Sequence, residues 1–188
     1  MLNKEKQKKL LQLARKSIEH YLYTREFYIP EEEDFADDEL QLVVGVFVTL
    51  TEGGRLRGCI GNIEGVEPLY IAVARNAVNA GFYDPRFYPL EPSELDKIKI
   101  EISILSKPKK LEYSSQAELI QLLQENKPGI ILKQGTRSAT FLPQVWEQVA
   151  NPEEFLSHLC LKAGLVESCW KDSNTEILYY TVESFEEE

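Results

Sequence analysis

Residues 42 to 50 constrain the fold more than any other stretch of the chain. Leu42, Val44, Val46, Val48 and Leu50 alternate with Val43, Gly45, Phe47 and Thr49. A strand here presents largely apolar side chains to both faces, which places it inside a sheet rather than at its margin. Gly53-Gly54 follows, and two glycines supply the positive φ that a tight hairpin needs. The chain must therefore turn back at once and pair with this strand.

The returning strand carries Leu56-Arg57-Gly58-Cys59-Ile60-Gly61. Glycine weakens a strand unless a bend or a close backbone approach requires it, so something besides burial selects this mixture. Arg57 and Cys59 lie two apart, on one face and roughly 7 Å apart along the chain. A guanidinium beside a thiol favours the thiolate, which makes Cys59 a candidate nucleophile assisted by Arg57. The competing reading is a small residue fitted beside a close backbone contact, with Arg57 paired to an acid such as Glu101 or Asp84. A nucleophilic cysteine needs a base, and the sequence has two histidines, His20 and His158.

The remaining elements follow from periodicity and punctuation. Leu10, Ala14, Ile18 and Tyr21 recur at helical spacing between about Asn3 and Arg25. Glu67-Pro68 opens a second helix running to about Gly81, and Asp84-Pro85-Arg86-Phe87 stops it. Ile98, Ile100, Ile102 and Ile104 alternate with polar residues, as in an antiparallel strand with one wet face. Ser115 with Glu118 forms a capping box for a short third helix, ended by Pro128-Gly129. Residues 130 to 133 and 137 to 142 make a second hairpin around Gly135. Asn151-Pro152-Glu153-Glu154 caps a fourth helix that Gly164 ends, and Ile177 to Phe185 reads as one last strand. Hairpin, helix and strand thus occur twice, giving an α+β class and suggesting a duplication.

Charge and composition narrow the functions. The formal charge of -10, from 31 acidic and 21 basic residues, opposes broad phosphate binding. Lys107-Pro108-Lys109-Lys110 is the one compact basic run, which leaves a nucleic-acid-associated regulatory role as the outermost alternative. The acidic stretches Glu31 to Glu39 and Glu183 to Glu188 read as a solvated loop and tail. No apolar run approaches the roughly 20 residues that span a bilayer. Three cysteines, Cys59, Cys160 and Cys169, cannot all pair with one another, and the N-terminal lysines are not followed by the apolar core of a signal peptide, so a reducing cytoplasm is expected. Cys160 and Cys169 lack the short spacing of a zinc pair, and Gly58 and Gly61 lie on a strand rather than in a phosphate loop. The expectation is no protein-built metal site and no nucleotide motif, with the cofactor unknown.

Two further groups stand out. Asp84 and Arg86 can present a carboxylate and a guanidinium into a cleft, although Asp before Pro also bonds its own turn. Gln144 leaves a strand where its amide can read a ligand or satisfy backbone groups. Together with Arg57, Gly58 and Gly61 these form a candidate binding set for a small anionic ligand, with Arg57 as its electrostatic centre.

The motifs Leu56-Arg57-Gly58-Cys59-Ile60-Gly61, Asp84-Pro85-Arg86-Phe87, Glu101-Ile102-Ser103-Ile104-Leu105-Ser106 and Phe141-Leu142-Pro143-Gln144-Val145-Trp146 resemble those of the AMMECR domain family. So do Phe155-Leu156, Leu159-Cys160 and Lys162-Ala163-Gly164-Leu165. The resemblance covers most of the chain from Val44 to Leu165. It implies a single domain over residues 1 to 188, built from two strand-and-helix repeats that share one barrel-like, largely antiparallel sheet, with a larger and a smaller lobe. It also implies a similarity to component A of the system called AmmeMemoRadiSam. The partners so implied are a Memo-like protein and a radical SAM enzyme, and the role is that of an accessory. The resemblance carries no reaction.

Overall fold

In the computed structural model, which describes residues 1–188, the first apolar stripe becomes α1, Lys4–Thr24. The Asn3 side chain accepts the Lys6 N–H at 2.9 Å and so satisfies one of the orphan donors at the helix start. Leu10, Ala14, Ile18 and Leu22 are buried, and Arg25 ends the helix in the left-handed region at φ 62. The chain divides into two compact units, Met1–Leu105 with Glu183–Glu188, and Ser106–Val182.

The first unit holds α1, β1 (Val46–Glu52), β2 (Arg55–Asn62), α2 (Leu69–Phe82), β3 (Ile98–Leu105) and most of β8 (Val182–Glu186). Its sheet runs in the order β2-β1-β3-β8, so β1 is central as its two apolar faces require. Val46, Val48 and Leu50 pack with Ile100, Ile102 and the alanine-rich face of α2 in one core. Gly53 and Gly54, at φ 58 and 78, make the tight turn between β1 and β2.

The apolar run before β1 does not pair as a strand. Leu42 and Val43 are 53% and 56% exposed. The carbonyls of Leu42 and Leu40 accept the N–H groups of Leu69 and Tyr70 at 2.8 and 3.2 Å. Pro68 offers α2 no side-chain cap, so backbone just ahead of β1 takes that task instead.

The second unit contains β4 (Lys109–Lys110), α3 (Gln116–Asn126), β5 (Gly129–Gln134), β6 (Arg137–Phe141), α4 (Pro152–Lys162) and β7 (Glu176–Tyr180). Its sheet order is β4-β7-β5-β6. Ser115 accepts the Glu118 N–H at 3.1 Å, whereas the Glu118 carboxylate turns to the Ser114 N–H at 3.0 Å. Trp146, Phe155, Leu156 and Leu159 form this unit's own core with the disulfide-bonded pair Cys160 and Cys169. The reducing cytoplasm expected from the sequence disfavours such a bond.

Two expectations need correction. The strands form two separate four-stranded antiparallel sheets, not one barrel-like sheet, and no barrel closes. The last strand is also two strands: Thr181 interrupts it, β7 pairs with β5 and β4 in one sheet, and β8 is the outer strand of the other. No helix is long and apolar enough to cross a membrane.

Candidate functional site

β2 is an edge strand with an irregularity at its centre. Leu50 pairs with Gly58 but Thr51 pairs with Leu56, which leaves Arg57 as the extra residue of a bulge. A bulge re-aims its side chain away from strict alternation. The Arg57 guanidinium accordingly runs to Glu94, with Nε to Oε2 at 2.6 Å and Nη2 to Oε1 at 3.2 Å, and Nη2 also donates to the Tyr88 carbonyl at 2.7 Å. Its partner acid is thus neither Glu101 nor Asp84. Arg57 in turn holds the Glu94 carboxyl below the usual carboxylate range. The third nitrogen, Nη1, is buried and has no hydrogen-bond partner.

Asp84 and Arg86 clip the outer edge of β2. The Asp84 side chain is only 2% exposed. Its Oδ2 accepts the Cys59 N–H at 3.0 Å and Arg86 Nη2 at 2.8 Å, and its Oδ1 accepts the Arg86 N–H at 3.1 Å and Nε at 3.0 Å. Arg86 Nη2 also donates to the Cys59 carbonyl at 3.4 Å. The pair therefore meets both outward backbone groups of Cys59, as a neighbouring strand would. The Arg86 guanidinium, followed by these two backbone N–H groups, holds the Asp84 carboxyl far below its ordinary value despite its burial. Both readings of Asp84 are realised, since it bonds its own turn and also fixes a guanidinium.

Cys59 is a free, half-buried thiol. Burial pushes it up; the Thr49 hydroxyl, which donates to Sγ at 3.2 Å, and Arg86 act in the opposite direction. The guanidinium acting on this thiol is that of Arg86, because Arg57 is engaged by Glu94 and Tyr88. His20 packs edge-on against Tyr28 and His158 pairs with Glu154 one helical turn away.

The glycines of the motif have packing reasons. A Cβ on Gly58 would lie 2.0 Å from the Ala80 carbonyl oxygen, so the bare backbone is what lets α2 seat on β2. At Gly61 the cross-strand residue Phe47 occupies the equivalent space. Gln144 is exposed on the short turn Pro143–Glu147 of the second unit.

Arg57, Arg86, Phe87, Tyr88, Pro89, Glu91 and Glu94 line a cleft of about 400 Å³. Both cations lie against the Phe87 ring, the Arg57 Cζ 6.0 Å and the Arg86 Cζ 5.5 Å from its centroid. Each guanidinium is gripped by an acid through its Nε and Nη2 side, which fixes its orientation. Sequence reasoning missed Phe87, Tyr88 and Glu94 as parts of this site. The readable signal was Glu91-Pro92-Ser93-Glu94, a reciprocal capping arrangement that pins the Glu94 carboxylate in place.

Residues 11–185 match the family model described as AMMECR1. Protein MK0488 of Methanopyrus kandleri is 42% identical over 187 residues, covering 95% of this chain and 87% of that protein. Protein NEQ441 of Nanoarchaeum equitans is 39% identical over 181 residues, covering 95% of this chain and 99% of that one. The crystal structure of the uncharacterized protein PH0010 from Pyrococcus horikoshii has the same fold, with a TM-score of 0.86 at 35% identity over 100% of this chain and 94% of the other. The sequence motifs, the fold and these relatives agree, and the chain belongs to the AMMECR1 family.

Proposed function

We propose that this chain is an accessory binding module, working in a pathway with Memo-like and radical SAM proteins, whose Arg57–Phe87–Arg86 cleft takes an oxyanion-bearing ligand or partner group. The observation that carries the reading is Arg57 Nη1, a buried donor without a partner on a side chain that lines the cleft. Burying such a donor unsatisfied costs about 1–3 kcal/mol, and a ligand oxygen recovers that cost once the atoms covering Nη1 part to admit it. Each guanidinium already has an acid partner, and Glu91 adds a further negative charge to the wall. Recognition therefore rests on hydrogen-bond geometry, and a singly charged carboxylate suits it better than a multiply charged phosphate.

A thermal-shift screen of acetate, other small carboxylates, phosphate and sulfate at constant ionic strength tests the ligand class. A bound anion raises the wild-type melting temperature by mass action, and Arg57→Lys abolishes the rise while leaving the fold intact, because lysine cannot reproduce the planar fork. A flat profile ends the reading. The pathway is tested separately by affinity capture from the native host under conditions that preserve weak complexes. Recovery of neither a Memo-like nor a radical SAM protein removes that part.

A further inference from the structure

The Arg57–Phe87–Arg86 cleft has more room and more apolar wall than a carboxylate group uses. Its volume of about 400 Å³ falls within the range of about 300–1,000 Å³ in which small molecules bind. Beside its four charged residues stand Phe87, Tyr88 and Pro89. A carboxylate alone meets the charged part of this lining and leaves the apolar part to water.

Tyr88 is the most exposed aromatic side chain of the protein, at 90%, yet its backbone is held on both sides and at its own carbonyl. The Phe87 N–H donates to the Asp84 carbonyl at 3.1 Å and the Leu90 N–H to the Gly81 carbonyl at 2.9 Å. The Tyr88 carbonyl accepts Arg57 Nη2 at 2.7 Å. Leu90 is buried, so the segment is anchored in the core two residues beyond the ring. A tyrosine on such a backbone offers contact area at low entropic cost, because the loop that carries it is already ordered.

Arg86 supplies a second flat surface. Asp84 grips its guanidinium through Nε and Nη2, while the side chain remains 55% exposed. A planar guanidinium stacks on aromatic faces, and Phe87 already makes one such contact with it. The cleft therefore joins a fixed ring, a fixed guanidinium and the Arg57 anchor.

We propose that the ligand of this cleft is an aromatic monocarboxylate whose ring packs on Tyr88 and the Arg86 guanidinium while its carboxylate faces Arg57. This inference rests on the carboxylate reading above and adds the apolar part of the ligand. Glu91 and Glu94 on the wall oppose a second negative charge. An aliphatic body of the same size gains burial alone, whereas an aromatic one also gains the ring and guanidinium faces. Tyr88 then sets the choice of body, as Arg57 sets the choice of charge.

The test compares acetate, cyclohexanecarboxylate and benzoate by NMR titration at neutral pH and constant ionic strength, with wild type, Tyr88→Phe and Tyr88→Ala. Benzoate is expected to bind the wild type at least about fivefold more tightly than cyclohexanecarboxylate. Tyr88→Phe keeps that ratio, and Tyr88→Ala brings it close to unity. A wild-type ratio near unity, or a ratio that survives in Tyr88→Ala, overturns the proposal, and the carboxylate reading then stands on the binding of the aliphatic acids. Absence of binding by all three acids ends that reading, and this inference with it. Benzyl alcohol is the uncharged control, and binding as tight as that of benzoate overturns the proposal because the carboxylate then contributes nothing. Intermolecular NOEs locate the ligand without any variant: benzoate ring protons should give cross-peaks to the Tyr88 ring, and cross-peaks confined to other aromatic residues overturn the placement.

Discussion

Asp84 joins several local constraints in one residue. It caps the outer backbone of β2, closes its own turn and fixes Arg86, all through two oxygens that accept four hydrogen bonds. Asp84→Asn keeps an acceptor but leaves Arg86 without its counter-charge, and we expect a loss of about 1–3 kcal/mol at neutral pH. The pH dependence has a definite sign. The folded-state pKa is depressed, so this contribution is complete above the unfolded value of about 3.9 and fades as the pH falls below it. Urea denaturation of wild type and Asp84→Asn should therefore show a stability gap at pH 7 that narrows in acid; a constant gap would contradict the assignment. Arg57→Ala strands the Glu94 carboxylate and should likewise cost about 1–3 kcal/mol in the same measurement. The sequence announced both arginines as special. It could not supply the partner of Arg57, because that acid lies 37 residues away and reaches the guanidinium only through a proline-rich turn.

At the scale of elements, legibility followed the strength of local chemistry. The helices beginning after Asn3, Ser115 and Asn151 were readable because each has a side-chain acceptor positioned ahead of an apolar stripe. The central place of β1 followed from its two apolar faces. What could not be read was how the strands are shared. A continuous run of largely β-prone residues over Ile177 to Phe185 specifies extended backbone but not which edge it joins, and a break at Thr181 sends its two halves to different sheets. The contact between α2 and β2 gives a sharp test. Gly58→Ala drives a methyl against the Ala80 carbonyl oxygen, which must shift helix or strand and should cost about 1–3 kcal/mol. A neutral substitution would mean that the two elements are not seated as described.

For the whole molecule, each unit has its own sheet and its own apolar core, and the Cys160–Cys169 bond belongs to the second. Closing this short loop restricts the unfolded chain and is worth about 2.5–3 kcal/mol. Reduction should therefore speed hydrogen exchange in α4, β5 and β7 while leaving β1, β3 and α2 unchanged; equal acceleration in both units would argue against separate cores. On a chain of net charge -10 the Arg57–Phe87–Arg86 cleft gathers two guanidinium groups, each balanced by an acid, and the functional account depends on that cleft. The most direct measurement is a carboxylate titration followed through the arginine Nε–H resonances by NMR. The account predicts that the Arg57 and Arg86 signals move together with one dissociation constant, while those of Arg15, Arg25, Arg55, Arg75 and Arg137 stay in place, and that Arg57→Lys abolishes the movement of Arg86. Signals that do not move, or that move equally for all seven arginines, would contradict it.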